Sequence, residues 1–392
     1  MTPQQLKNIV QSSHVNFLFG SGLSAPFLST LGNIEQWLAD IVQRKDISQD
    51  EEFALHANVL AKYFSDIMVP CMKCELDTDD NYKFVLTQYT TFFQHWNNII
   101  SRRHTDLLDK QVNVFTTNID DLVEKVAERM RLEFNTGFRG HLNPIYDENS
   151  FSNIVSKVSP LFHTTASIPI FNYLKMHGSI NWKAREDNII TYDTAYEGLN
   201  AVQKQFEGLR LKQLLWDFSK IDELLELIRQ KIENVKKGQQ DYKDCLDAYY
   251  SNLVMINPRK EKFKESVLSL HFYELMRLYS NALERNNTVL FVAGFSFADE
   301  HIAQITVRAA NSNPTLQIII FAYADEQKQI IENNINKGGQ IINNNITLLT
   351  PTKYRTSMPE EYQSYVGGLE HFNLESINYS VFALLANIIH NK

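Results

Sequence analysis

The sequence predicts an α/β fold, a doubly wound parallel sheet, on three observations. Short runs rich in Val, Ile and Phe recur along the chain without polar alternation. Longer stretches of helical pattern separate them. Several of the runs end in glycine or in small polar residues. Continuous apolar runs suit strands buried on both faces, and helices between them suit parallel crossovers. Ligands of such sheets bind beyond the carboxyl ends of the strands.

Taken in order, VNFLFGSG (15–22) is the first expected strand. Residues 34–111 then read as mostly helical and are too long for a minimal crossover. VNVFTTN (112–118) and FNYLKMHGS (171–179) are the second and third strands. Residues 180–251 form a second long insertion. Within it Leu211, Leu214, Leu215, Phe218, Ile221, Leu225, Ile228 and Ile232 recur at helical spacing, as a helix packed on its own domain or as an oligomer or partner surface. NLVMINP (252–258), TVLFVAGFSF (288–297), LQIIIFAY (316–323) and ITLLTP (346–351) complete the strands. GGQIINNN (338–345) reads as a loop, and VFALLANII near the end as an apolar helix that docks on the core. The organisation expected is one nucleotide-binding domain over residues 1–330. Helical insertions at about 34–111 and 180–251 form a smaller subdomain, and residues 331–392 add a strand and helix that complete or flank the core.

Composition excludes several classes. Of 392 residues, 44% are hydrophobic and 21% charged, which is the balance of an ordered globular chain. A net charge of -8 disfavours unaided nucleic-acid binding, which needs clustered Lys and Arg on the phosphates. An anionic cofactor remains possible where backbone N–H groups supply the positive potential. Three cysteines, Cys71, Cys74 and Cys245, do not make a disulfide framework. With no basic n-region before an apolar stretch at the start and no long apolar span, the expectation is a cytoplasmic protein without membrane contact.

Four strand ends carry the candidate chemistry. FLFGSGLS (17–24) ends in Gly20-Ser21-Gly22 and Ser24. Glycines there let backbone approach a pyrophosphate, and a following helix offers its N–H groups. Ala25 stands where a dinucleotide fingerprint has its third glycine, and a tight turn that binds nothing would look the same. VFTTNIDD (114–121) sends Thr116, Thr117, Asn118 and Asp120 towards the crevice, although Asn118 or Asp120 could simply cap a helix starting near Leu122. In YLKMHGSINW (173–182), His177 ends an apolar strand. It is a buried, satisfied imidazole or a general base, since an imidazole titrates near neutral pH. GFSFADEHI (294–302) places Gly294, Ser296 and Asp299 at a fourth turn, or a serine that caps the next helix.

In this order the four segments resemble the sirtuin-like family, and more closely its bacterial branch found in antiphage defence. FGSGLS is similar to the family's Gly-Ala-Gly-x-Ser turn, with Ser21 for alanine. TTNID is similar to Thr-Gln-Asn-Ile-Asp, with Thr117 for glutamine. KMHGS matches the His-Gly segment, and GFSFADEHI the late nucleotide-binding turn. The likeness spans most of residues 15–323 and implies an NAD-binding core. It implies that Gly20, Gly22 and Ser24, with Ser21, Thr116 and Thr117, line the cofactor. Asn118 then orients the nicotinamide ribose and an attacking water, Asp120 holds that site, and His177 is the general base. Gly294 and Ser296 bind the adenosine side.

Two departures shape the functional expectation. Protein-deacylating sirtuins carry four zinc-binding cysteines after the His-Gly motif, and here only Cys245 follows His177. They also carry Phe-Arg after the glycine turn, where this chain has LSTLGNIEQW. No zinc or other metal site is therefore expected, and water replaces the acyl-lysine as nucleophile. The expected activity is an NAD glycohydrolase releasing nicotinamide and ADP-ribose, as a defence effector that depletes NAD. The alternatives are a non-catalytic NAD or ADP-ribose scaffold, and a deacylase or ADP-ribosyltransferase. The resemblance further implies a homo-oligomer with a partner chain such as a HerA-type ATPase or an Argonaute.

Overall fold

A computed structural model describes residues 1–29, 34–73, 79–103, 108–185, 189–256 and 268–390. In chain order the strands are β1 (His14–Phe19), β2 (Gln111–Thr116), β3 (Glu133–Asn135), β4 (Phe138–Arg139), β5 (Ile145–Tyr146), β6 (Ser156–Val158), β7 (Thr165–Ser167), β8 (Ile170–Lys175), β9 (Trp182–Ala184), β10 (Ile190–Tyr192), β11 (Thr288–Ala293), β12 (Leu316–Phe321) and β13 (Ile346–Leu349). The helices up to β11 are α1 (Pro3–Ser12), α2 (Ile34–Gln43), α3 (Gln49–Tyr63), α4 (Val69–Lys73), α5 (Asp80–Ser101), α6 (Leu122–Arg129), α7 (Glu197–Leu211), α8 (Ile221–Gln230), α9 (Ile232–Lys237), α10 (Gln239–Asn252) and α11 (Leu268–Glu284). Beyond it lie α12 (Glu300–Ser312), α13 (Gln327–Lys337), α14 (Pro351–Thr356), α15 (Gln363–Val366), α16 (Leu374–Ile377) and α17 (Leu384–His390).

Seven strands form one all-parallel sheet in the order β13–β12–β11–β1–β2–β8–β3. Helices cover both faces, so the doubly wound α/β architecture is the observed one. The two faces explain the unbroken apolar runs. On one face Phe17 and Phe19 join Trp96 of α5 and Phe291 of β11. On the other, Leu18, Leu290 and Val292 meet Leu275 and Tyr279 of α11 and Ile302 and Val307 of α12. Each fully buried side chain of this size contributes roughly 1.5–3 kcal/mol. Phe382, close before α17, sets its ring against Phe17, Trp96 and Phe291, so the C-terminal apolar helix docks as expected.

Four local expectations change. NLVMINP is not a sheet strand: Met255 makes a single antiparallel bridge to Gly178, and Leu253–Met255 are buried there, while residues 257–258 lie outside the described residues. The sheet's outer position is taken instead by β3, three partly exposed residues with no apolar run to announce them. The helical repeat over 211–232 is interrupted. Leu211 ends α7 86% exposed, Gln213 is left-handed at φ 57°, and α8 begins only at Ile221. Thus periodicity continued where the backbone did not. Two small antiparallel sheets, β4–β5–β10–β9 and β6–β7, stand beside the main one, and β9 and β10 put strand at the start of the second insertion, which the sequence predicts to be helical.

The two long insertions pack on each other, α3 against α8, α9 and α10. They share one continuous hydrophobic cluster with a face of the sheet. Between α3 and α4 the backbone widens into a π-helical turn, Phe64–Met68, where the Val69 N–H reaches back to the Phe64 carbonyl. Among the described residues no helix is long and apolar enough to cross a membrane.

Candidate functional site

The register brings the four candidate segments to one edge. Phe19 pairs with Thr116 and with Ala293, and Thr116 pairs with Lys175. These are the last residues of β1, β2, β11 and β8, so Gly20, Thr117, Gly294 and Met176 step off the sheet level with one another. β1 is the switch point, with β2 on one side and β11 on the other. That is where α/β sheets open a binding crevice.

The first turn is built for close contact between two backbones. A Cβ at Gly20 would lie 2.3 Å from the Gly294 carbonyl oxygen, and Gly294 itself has φ 65°. The Gly20 N–H donates to Ala293 and the Gly22 N–H to Gly294, each at 3.1 Å. The segment after Gly20 is one 3-10 turn, Ser21–Ser24, rather than an α-helix. The Gly20 and Gly22 N–H groups are therefore already bonded, and both glycines sit where β1 approaches β11. Gly294 acts in that contact. Ser296 is exposed, and its carbonyl accepts from Asn334 Nδ2 at 3.0 Å. The cap of α12 is Asp299, not a serine.

Ser24, Asn118 and Asp120 form a bonded group. Ser24 Oγ donates to Asp120 Oδ2 at 2.8 Å and accepts from Asn118 Nδ2 at 3.3 Å. The direction of that chain fixes the carboxamide: its nitrogen faces Ser24, and its Oδ1 is left buried with no partner. Tyr89 OH closes on Ser24 Oγ at 3.4 Å. Thr116, fully buried, donates its hydroxyl to the Phe19 carbonyl and receives the Asn118 N–H at 3.0 Å. Its hydroxyl is thus engaged in shaping the turn. Asp120 also takes the Leu122 N–H at 3.2 Å, so the helix-start reading holds for one of its oxygens only.

A cavity of about 30 Å³, room for about one water, is lined by Ser21, Ser24, Thr117, Asn118 and Asp120. Leu28 and Ser29 wall it from one side, and Tyr63 and Ile67 of the first insertion from another. Burial pushes the Asp120 carboxyl up, against the pull of Lys175. The unpaired Asn118 oxygen suits a hydroxyl or water donor, and the buried carboxyl suits a cationic or cation-like group. An N-ribosyl pyridinium offers both.

Beneath this group lies a cluster that composition and motifs did not announce. Lys175, 2% exposed, donates to the Asp120 carbonyl, to Ser179 Oγ and, at 2.9 Å, to Glu124 Oε1. Burial raises the Glu124 carboxyl despite Lys175. Asp121 pairs with Lys125 at 3.0 Å and accepts from Tyr196 OH. The Ile180 N–H bonds the Ile119 carbonyl at 3.0 Å, tying the turns after β2 and β8 together. The only signal in the sequence is a lysine inside an otherwise apolar strand end.

His177 is not part of the cavity lining. Its Nε2 meets Asp299 Oδ2 at 3.1 Å, across the turn after β11. Burial acts to raise the Asp299 carboxyl, but the His177 contact and the α12 N–H groups outweigh it and hold the group below its usual range. The next turn is as constrained as the first, because a Cβ at Gly178 (φ 76°) would fall 2.3 Å from the Val254 carbonyl oxygen. Cys71 and Cys245 are both buried, and Cys74 lies outside the described residues. Among the described residues no group of three His, Cys, Asp or Glu is arranged to hold a metal ion.

A SIR2-like domain family model matches residues 112–231. That stretch includes Thr116–Asp120, Lys175 and His177, but neither the Gly20–Ser24 turn nor Gly294–Ser296. The match supports a sirtuin-like family, whose members use NAD as substrate in general. No curated protein matches the chain.

Proposed function

We propose that this SIR2-like chain hydrolyses NAD at the nicotinamide–ribose bond, giving nicotinamide and ADP-ribose. The observation that carries the reading is the buried, unpaired Asn118 Oδ1 held over a water-sized space beside Asp120. Asn118 orients a ribose hydroxyl and the attacking water. Asp120, beside the space, favours the positive charge that builds on the sugar as the bond breaks. Water adds to the ribose carbon, and the bonding pair leaves with nicotinamide and neutralises its ring. By resemblance His177, oriented by Asp299 at the same sheet edge but outside the cavity lining, is the base for the water's proton, and a positioned base typically contributes about a hundred- to ten-thousand-fold. By resemblance the chain acts as a homo-oligomeric effector of bacterial antiphage defence that depletes NAD beside a partner ATPase.

The small size of the cavity supports a second reading. At about 30 Å³ it has room for a water and not for a nicotinamide ring, so the free chain binds nucleotide without turning it over, as a scaffold or as an enzyme awaiting its partner. Nicotinamide release by the purified chain, beside Asn118→Ala and His177→Ala, separates the two. Turnover that falls about a hundredfold or more in both variants supports the hydrolase. Turnover unchanged in both removes it, and bound but unconverted NAD favours the scaffold.

A further inference from the structure

A second cavity, about 500 Å³, lies between the π-helical segment and the chain that joins α7 to α8. Its volume is that of a small-molecule site, roughly 300–1,000 Å³. The wall is firmly held. Asn58, 2% exposed, accepts the Trp216 N–H at 2.7 Å and donates to the Ala54 carbonyl at 2.8 Å. Tyr242 OH fixes the Leu214 carbonyl at 2.7 Å. The interruption of the 211–232 periodicity is what makes room: an unbroken helix would carry Leu215–Phe218 on its own surface instead of along this rim.

The lining has a chemical character. Trp216 offers an aromatic surface. Lys62 is engaged by Asp66 at 3.0 Å, whereas Arg210, exposed on the last turn of α7, has no ion-pair partner among the described residues. A guanidinium without an ion-pair partner and an indole in one lining suit a planar ring that carries an anionic group, and the exposed Asp217 of that lining suits an amino group on the ring.

The position matters as much as the lining. Tyr63 and Ile67 line the Asn118 cavity, while Ala61, Lys62, Ser65 and Asp66 line the larger one. One stretch of helix is therefore the common wall of both, and its π-helical turn is the irregular part of it. Such turns sit between two hydrogen-bonding registers and recur at functional sites.

We propose that the larger cavity is an effector site for a nucleoside monophosphate, its base against Trp216 and its phosphate on Arg210, and that occupancy alters the Asn118 cavity through the shared π-helical wall. The binding half stands alone, and the coupling half rests on the hydrolase reading. Coupling of this kind typically changes activity or affinity by about 5- to 150-fold.

AMP titrated calorimetrically into the full chain is the test, with Arg210→Ala and Asn118→Ala alongside. Arg210 is exposed and unpaired among the described residues, so its truncation leaves the fold intact, as equal melting temperatures check. The expected result is AMP binding weakened about tenfold or more by Arg210→Ala and unchanged by Asn118→Ala. AMP should also shift NAD turnover about fivefold or more in the parent chain and not in Arg210→Ala. No AMP binding, or binding that survives Arg210→Ala and is displaced by NAD, overturns the site. Arg210-dependent binding with unchanged NAD turnover overturns the coupling. The same binding in a chain that never converts NAD keeps the site and removes the hydrolase reading.

Discussion

Lys175, 2% exposed, bonds the Asp120 carbonyl and Ser179 of the turns that present Asn118 and His177, and Glu124 of α6. Replacing it with methionine leaves Glu124 and the Asp120 carbonyl without this donor. Breaking a buried pair this way costs about 3–5 kcal/mol. Lys175→Met should therefore lower the urea midpoint strongly, and Lys175→Met/Glu124→Leu should recover part of the loss. A midpoint that does not move would remove the anchoring role. Asp299 is a gentler case. Asparagine caps a helix about as well as aspartate, so Asp299→Asn keeps α12 while removing the charge that orients His177. NAD turnover should fall on the order of 10- to 100-fold with little change in KM. An equal loss of kcat and stability would point to structure alone. At this scale the apolar-then-polar strand ends were legible, because each is written in eight or ten consecutive residues. The partners Lys175–Glu124 and His177–Asp299 were not, because no local pattern records which turns meet.

The elements owe their positions to the sheet register. The Gly20-Ser21-Gly22 turn reads locally as a phosphate loop, yet its glycines are needed because β11 runs alongside. Gly20→Ala would set a methyl 2.3 Å from a backbone oxygen, where nothing can yield but the main chain. Overpacking of this kind costs about 1–3 kcal/mol, and the melting temperature should drop accordingly. An unchanged melting temperature would mean that the β1–β11 approach is loose. The strands were legible because both faces are buried and the runs are unbroken. β3 was not, being three residues long and partly exposed. The 211–232 helix was over-read for the converse reason. Its apolar residues keep helical spacing, but Gln213 turns left-handed and Leu215–Phe218 line the larger cavity.

For the whole molecule, acid sensitivity follows from a strand-end histidine. Burial, then the Arg285 charge, holds His14 down at about 4, from an ordinary 6.5. The unfolded chain binds that proton first, so stability is full above about 6.5 and is lost as pH falls through about 4. The loss is on the order of 1–2 kcal/mol once solvent screening is allowed. Asp120 and Glu124, raised by burial, act in the opposite sense and lose stability as pH rises. Comparing denaturation at pH 7 and pH 4.5 for the parent and His14→Gln isolates the histidine, whose removal should flatten the acid decline. An unaltered pH profile would show that His14 is not the group responsible. By itself the sequence determined the α/β class, most of the parallel strands and the polar residues at their carboxyl ends. Those depend on periodicity and burial, which are properties of neighbours along the chain. Only the tertiary structure decided that the glycines pack on Gly294, that Asp299 reaches His177, and that one π-helical wall serves two cavities. Strand order and the packing of two distant insertions set those contacts, and neither leaves a mark in any single stretch of residues.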